Sequence, residues 1–352
     1  MPSIHPTFGY CDHYPVPDVY VSKVERSAGR LKTWAVVALL ATLVGFIGTT
    51  RADEDGETLF QQGRYAEAKA VLARQLARHP AEARLHFLMG RSCLAGNEAE
   101  EALPYLQKAV ELENHSAEYH FWLGLAYWAQ LDFEAEQASY RRALDLDPDH
   151  LPAHVYMGHN FMDRGLWRQA LIHYERVLRD VPDHPEALFN SALAHRQLGR
   201  TAEENTSWKQ YLGYYSTGRK AMTAVEHLNA NGDFSFRPLV FGPRGVVLEQ
   251  IHFTPGGTTP EPDSLAALDE AGRVVLQTPE VILQVVAYAE EAPEVAEVRA
   301  KFIKSYLLRQ YPGIAPERIR ISWFGMPETV PTLSGTVALN PSLRLFTEPA
   351  HP

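Results

Sequence analysis

Leu151 to His184, LPAHVYMGHNFMDRGLWRQALIHYERVLRDVPDH, decides the fold, because the chain repeats it at a fixed interval. Displaced by 34 residues in either direction, the stretch meets a relative of itself. Gly158 has counterparts at Gly56, Gly90 and Gly124, and Ala192 stands at the fifth position of the series. Further into each unit a small residue recurs at Ala68, Ala102 and Ala170. Four positions after that point comes a large apolar one: Leu72, Leu106, Tyr140, Tyr174 and Trp208. The units close on Ala109, Ala143 and Val177, and then on Pro80, Pro148 and Pro182. Small residues let two helices approach closely, the large one fills the space beside them, and proline stops the second helix. A single hairpin of this kind cannot bury its apolar stripe, so the copies must stack. Five copies start at Thr49, Ala83, Ala117, Leu151 and Pro185. The departures are Glu136 and Glu204 at the small-residue position and Asn114 where a proline is expected.

This pattern resembles the tetratricopeptide repeat, two antiparallel helices per unit. The resemblance implies an all-α superhelix of five helix-turn-helix repeats over residues 53–230, closed by a solvated capping helix at Arg219 to Asn229, with a groove that takes a protein partner. In repeats of that family the groove wall is lined by the second, fifth, ninth and twelfth positions of each first helix, which share one face. Here those positions hold Arg84, Phe87, Arg91 and Leu94, then Glu118, Phe121, Leu125 and Trp128. They continue with Val155, His159 and Met162, and end with Glu186, Phe189, Leu193 and Arg196. Such a wall suits an apolar or amphipathic segment, with Arg91 and Arg196 meeting acidic groups at its edges. The alternative is that these apolar side chains are buried against neighbouring repeats or the capping helix. The Lys and Asn pattern by which some relatives clamp a C-terminal carboxylate is absent.

With 352 residues, 45% of them hydrophobic, the chain holds two ordinary domains. A net charge of -10 and a pI near 5.8, without basic patches, argue against a nucleic-acid partner. The two cysteines, Cys11 and Cys93, make no disulfide framework and lack metal-ligand spacing. Cys93 reads as a buried, inert thiol in the first helix of the second repeat. His86, His120 and His154 occupy one position in three copies and read as packing residues, not metal ligands. No Gly-x-Ser-x-Gly is present, and Pro255-Gly256-Gly257-Thr258 follows a strand without the lysine that a phosphate cradle needs. The expectation is therefore no cofactor, no metal and no catalysis.

Residues 1–32 carry Pro2, Pro6, Pro15 and Pro17 and read as a flexible lead. Lys23, Arg26, Arg30 and Lys32 then precede the apolar run Thr33 to Gly48, TWAVVALLATLVGFIG. Basic residues before a greasy segment hold the N-terminus in the cytosol and send the downstream chain across the inner membrane. The run is short for a spanning helix and long enough for a secretory segment, and Thr50-Arg51-Ala52 offers small residues at a signal-peptidase site. Residues 33–52 thus read as a signal peptide or as an uncleaved anchor, and membrane contact is confined to residues 33–50 in the second case. Both readings place the rest of the chain on the far side of that membrane.

After the array, residues 231–245 read as a linker, with Pro238, Pro243 and two glycines in its second half. The period then changes. Strands are expected at Val246 to Phe253, Val281 to Ala289, Arg318 to Phe324 and Ser342 to Thr347, and helices at Pro262 to Thr278 and Pro293 to Tyr311. That order makes a small α+β domain with helices on one side of a sheet. It resembles the C-terminal domain of outer membrane protein A, the OmpA-like domain, over residues 246–348. The resemblance rests on IHF at 251 to 253, SLAALDE at 264 to 270, VVAYAE at 285 to 290 and VRAKFIKSYL at 298 to 307, and above all on PGIAPERIRISWFGMPETVP at 312 to 331. In the last stretch a strand and a turn match at Gly313, Ile314, Ile319, Gly325, Glu328 and Pro331. In that family an aspartate and an arginine grip diaminopimelate in peptidoglycan, which implies a binding role for Arg299 and for Glu290, standing where the family has aspartate. The family's longer loop is reduced here to Glu291 to Val298. Two functions are expected on this basis. One is an exported envelope scaffold whose repeats hold a protein partner while its C-terminal domain docks to peptidoglycan or another envelope component. The other is a purely protein-binding module of a secretion, pilus or outer-membrane assembly.

Overall fold

The computed structural model describes residues 55–254, 256–290 and 293–350. The expected lead, the leader or anchor at 33–52 and Cys11 lie outside the described residues. Within these, eleven helices precede the first strand. They are α1 (Gly56–Gln61), α2 (Tyr65–Arg78), α3 (Ala83–Ala95), α4 (Ala99–Leu112), α5 (Ala117–Trp128) and α6 (Phe133–Leu146), then α7 (Leu151–Asp163), α8 (Trp167–Asp180), α9 (Pro185–Gln197), α10 (Thr201–Tyr214) and α11 (Gly218–Ala230). The chain forms two compact units that divide between Ala153 and His154, inside α7.

In the first unit each pair of helices meets backbone to side chain. A Cβ at Gly56 would lie 2.4 Å from Leu72, one at Gly90 2.5 Å from Leu106, and one at Gly124 2.3 Å from the Tyr140 ring. Nothing larger than hydrogen fits, because Leu72, Leu106 and Tyr140 are fully buried where they stand. The turn between the paired helices demands a left-handed residue. Gly63, Asn97 and Leu131 have φ of 73°, 61° and 60°, and the equivalent Gly165 and Gly199 of the second unit have 69° and 67°. Glycine and asparagine take that conformation readily, whereas leucine there is strained. Leu131 is also 68% exposed, so packing does not compensate for the strain. Helix starts are fastened by side chains: Asp55 accepts from the Thr58 N–H, Ser116 from Tyr119, and Asp132 from Ala135. His86 and His120 bond the carbonyls of Pro80 and Asn114 through Nε2, tying each first helix to the loop before it, as their packing reading expects.

The second unit repeats the contact at Gly158, whose Cβ would lie 2.5 Å from Tyr174. In the last repeat the pairing is Ala192 with Trp208, and here the odd residue Glu204 acquires a reason. The indole Nε1 of Trp208 donates to Glu204 Oε1 at 3.1 Å, so the larger ring brought a donor and the carboxylate one turn earlier satisfies it. Helix α11 does close the array: Ala221, Ala224, Val225 and Leu228 pack on Phe189, Trp208 and Tyr211. It is not the solvated cap expected, because a β-hairpin lies against it.

That hairpin is a correction to the linker reading of 231–245. Strands β1 (Phe236–Phe241) and β2 (Arg244–Glu249) pair antiparallel from Phe236 with Glu249 to Phe241 with Arg244. The alternation of β2 explains the arrangement: Val247 joins the core under α11, while Val246 and Leu248 enter the C-terminal core. Beyond it come α12 (Leu265–Gln277), β3 (Val281–Tyr288), α13 (Pro293–Gln310), β4 (Ile319–Phe324), β5 (Glu328–Thr332), β6 (Gly335–Leu339) and β7 (Ser342–Pro349). The main sheet has the order β4-β3-β7, with β4 parallel and β7 antiparallel to β3. Strand β2 is not part of it, and a separate hairpin, β5 with β6, occupies the stretch expected as a turn before Pro331. Arg318 caps α12, donating to the carbonyls of Val275, Thr278 and Val281. Glu328, almost fully buried, accepts from Arg237 of β1 at 2.5 Å and from the Ser342 hydroxyl at 2.5 Å, joining three strands around one carboxylate.

Gly158→Ala is expected to lose stability, since overpacking of about 1–3 kcal/mol outweighs a helix-propensity gain of about 1 kcal/mol. Leu131→Gly is expected to gain about 1 kcal/mol by releasing the strained φ. Urea unfolding midpoints check both; equal midpoints for Gly158→Ala and the parent chain would show that the Tyr174 ring simply swings aside.

Candidate functional site

In the first unit the apolar members of the expected groove wall, Trp128 excepted, are interior. Phe87 stacks on Tyr119 with centroids 4.5 Å apart and meets Trp122 edge-on at 6.4 Å, while Phe121 lies against Tyr140 and His150. Leu94 and Leu125 are buried as well, and Trp128 is half-buried. What this wall presents is charge on an aromatic bed. The Arg91 guanidinium sits 4.3 Å from the Trp122 ring centre, 4.7 Å from Phe60 and 5.3 Å from Phe87. Three ring faces attract the cation and hold its plane in one orientation. Beside it, in the same unit, stand a half-exposed carboxylate and an exposed ion pair. Glu118 accepts from the Trp122 indole at 2.7 Å, and Arg84 pairs with Glu57 at 2.5 Å. His150 caps α7 by accepting the Ala153 N–H at Nδ1, so its Nε2 carries the proton and donates to Glu118.

In the second unit Val155, His159, Phe189 and Leu193 are likewise buried, and Met162 packs partly buried beside them. Arg196, expected at a groove edge, is tied inward: its Nη1 donates to His227 Nδ1 at 2.7 Å and reaches Glu204 at 3.4 Å. His159 faces Glu186 at 3.8 Å. Burial, then the nearby His184 and Lys220, pull the His159 imidazole down to about 3, and burial lifts the Glu186 carboxyl above its usual range. His154 and His173 meet Nδ1 to Nδ1 at 2.9 Å. His150 and His154 stand four apart, a metal-ligand spacing in sequence, yet each is engaged otherwise, His150 as a cap and His154 with His173.

The C-terminal pair is not brought together. Arg299 is 4% exposed, donates from Nε and Nη2 to the Gly257 carbonyl at 3.0 and 2.7 Å, and lies 4.4 Å from the Phe253 ring centre. Burial holds its pKa below the ordinary arginine value. Glu290 is exposed and engages Asn340 through both its N–H and its carboxylate. No hydrogen bond or ion pair joins Glu290 to Arg299 among the described residues. Among those residues the ligand atoms of Cys93, Glu98 and Glu101 are the one trio close enough to share a metal. Glu98 is already paired with Lys69, and burial pushes the Cys93 thiol up to about 11, which fits an inert thiol better than a thiolate ligand. No described helix is long and apolar enough to cross a membrane.

The side chains that sequence reasoning missed are those that do the holding: Phe60 and Trp122 around Arg91, and Arg237 on Glu328. The repeat pattern marked positions that recur, and Trp122 has no recurring counterpart, with Leu88, Tyr156 and Asn190 at the equivalent places.

Family models of the tetratricopeptide repeat match residues 59–125, 117–150 and 157–204. Among solved structures, a crystal structure of MamA protein aligns at 22% identity over 45% of this chain and 87% of that one, with a TM-score of 0.43. YrrB, described as a TPR protein with an unusual peptide-binding site, aligns at 16% identity over 49% of this chain and 88% of that one, with a TM-score of 0.44. No curated protein matches the chain. The helical repeats are tetratricopeptide repeats, a fold that serves protein–protein interaction.

Acid should weaken the second unit. His159 is pulled to about 3, and His173 and His184 to about 4, each chiefly by burial. His184 Nδ1 also accepts the Ala187 N–H as the cap of α9, a bond that protonation removes. An unfolded chain takes up these protons below about pH 6.5, so stability is whole above that value and falls as pH drops toward the folded values. Asp163 and Glu186 act in the opposite sense at lower pH, because desolvation raises their carboxyls. Urea midpoints are therefore expected to fall between pH 7 and 5.5, and His173→Phe to flatten that slope; midpoints independent of pH in this range would contradict it.

Proposed function

We propose that this chain, with tetratricopeptide repeats between residues 59 and 204, is a non-catalytic adaptor of the bacterial cell envelope. In this reading residues 33–52 export it or anchor it, the array lies on the periplasmic side, and a protein partner docks on the first unit. The observation that carries the reading is Arg91, held by Phe60, Phe87 and Trp122 before any partner arrives. A preset guanidinium next to half-exposed Glu118 supports a partner segment that brings a carboxylate to Arg91 on an otherwise polar stretch. It does not favour the apolar segment that the wall positions suggested, since their apolar side chains other than Trp128 and Met162 are interior.

For the OmpA-like stretch the same reasoning favours a second protein-interaction module over a cell-wall anchor. Arg299 has both Nε and Nη2 committed to Gly257, and Glu290 is engaged by Asn340. Envelope placement is tested by protease treatment of spheroplasts producing the whole chain: digestion without lysis is expected, and protection until lysis would overturn it. With isolated peptidoglycan sacculi, the parent chain and Arg299→Ala are expected to pellet alike. Pelleting of the parent chain that Arg299→Ala loses would restore wall binding.

A further inference from the structure

Strand β4 ends the main sheet, and its outer side faces no other strand among the described residues. The opposite edge is different. Strand β7 has β1 beside it, where the Thr347 hydroxyl donates to the Val240 carbonyl at 2.5 Å. Which groups β4 leaves open is set by its pairing. The Phe324 carbonyl accepts from Ala289 beyond β3, so Phe324, Ser322 and Arg320 turn their backbone groups inward. Ile321 and Trp323 therefore turn theirs outward. Among the described residues the one outward carbonyl given a partner is that of Ile319, which accepts from Lys304 at 2.6 Å.

Natural sheets blunt such an edge with proline, a bulge or charge. This one, Ile319–Phe324, has no proline and one charged residue, Arg320. It ends instead in exposed apolar surface: Trp323 is 40% exposed, Phe324 44% and Met326 58%. Phe324 is held flat by stacking on Tyr288 with centroids 5.5 Å apart.

We propose that this edge pairs antiparallel with β4 of a second copy of the chain, about a two-fold axis at Ser322, joining two three-stranded sheets into one. The strand is complementary to itself in this register. Ile321 and Trp323 of the two copies form the hydrogen-bonded pairs, a β-branched residue against an aromatic on the helix side. On the other face Arg320 meets Phe324 of the second copy, cation against ring, and the two arginines are never opposite each other. Moving the axis by one residue to Ile321 sets Arg320 against Ser322 and forfeits that contact. That cation–π contact therefore selects both the occupant and the register, and Arg320, 59% exposed and 3.9 Å from Glu348 of its own chain, is open to make it.

The test uses the full chain in detergent, in a Cys11→Ser background so that Cys93, which is buried, is the sole native thiol. Ser322 sits at a non-hydrogen-bonded position on the axis, where paired Cβ atoms approach about 4.5–5.5 Å and a disulfide closes with small movement. Under mild oxidation Ser322→Cys is expected to give mostly a covalent dimer, and exposed Thr336→Cys to stay monomeric. In sedimentation velocity the dimer fraction should rise with concentration. Trp323→Pro, which removes an outward N–H, and Phe324→Lys, which opposes Arg320, should abolish the rise, whereas Phe324→Glu should keep it. Cross-linking of Ser322→Cys no faster than of Thr336→Cys, or a concentration-independent monomer, would overturn the proposal even if Trp323→Pro fails to fold.

Discussion

The contact between a glycine on one helix and a large side chain sixteen residues later governs the repeats of this protein. With hydrogen at Gly90, Gly124 and Gly158, the second helix of each pair can lay a leucine or tyrosine directly on the backbone of the first. The rest of a repeat is a consequence of that closeness. Alanines Ala68, Ala102 and Ala170 are fully buried because no room is left for more, and the turn must reverse the chain within a few residues through a left-handed φ. Where the last repeat changes one partner, it changes others. Ala192 faces the larger Trp208, whose indole N–H then requires Glu204, and Glu204 in turn draws in Arg196. A residue that looks like a blemish in the pattern is the consequence of a neighbouring substitution.

The same economy of space decides what the repeats offer outside. Side chains at the fifth position of the first helices, Phe87, Phe121, Val155 and Phe189, point along the wall that the family uses, yet neighbouring aromatic rings cover them. Apolar residues beside a stack of rings gain more from burial than from waiting for a partner. Charge behaves in the opposite way. Arg91 is half-buried, with its guanidinium against the ring faces and close enough to Glu118 to help hold that carboxyl charged. Arg299 shows the other limit: the Gly257 carbonyl meets two of its donors, Phe253 meets its face, and the side chain is buried.

In the second unit the hairpin of β1 and β2 ties the capping helix to the C-terminal core. Its alternating side chains enter two different cores, and the Arg237 ion pair with Glu328 secures it to β5. Removing one member of so buried a pair would leave the other charged and unmet, which is why such a pair specifies an arrangement even where its net stabilisation is small.

From the sequence alone came the repeat period, the ten helices of the repeats, the capping helix and most strands beyond it. These rest on local rules: a 34-residue spacing, small residues at fixed offsets, proline stops, and a change from helical to alternating period. Lost to it was whatever depends on two distant stretches meeting. Phe236 to Phe241 reads as a linker because it holds Pro238 and runs into Gly242 and Pro243, and becomes a strand because Arg244 to Glu249 pairs with it. Phe87 and Phe189 read as groove residues because spacing fixes their face of the helix but not what covers that face. Glu290 and Arg299 fit a family pattern nine positions apart, and the fold gave one to Asn340 and the other to Gly257. Local chemistry sets which way a side chain points; only the assembled interior decides what it meets, because burial and hydrogen-bond satisfaction are settled between segments, not within them.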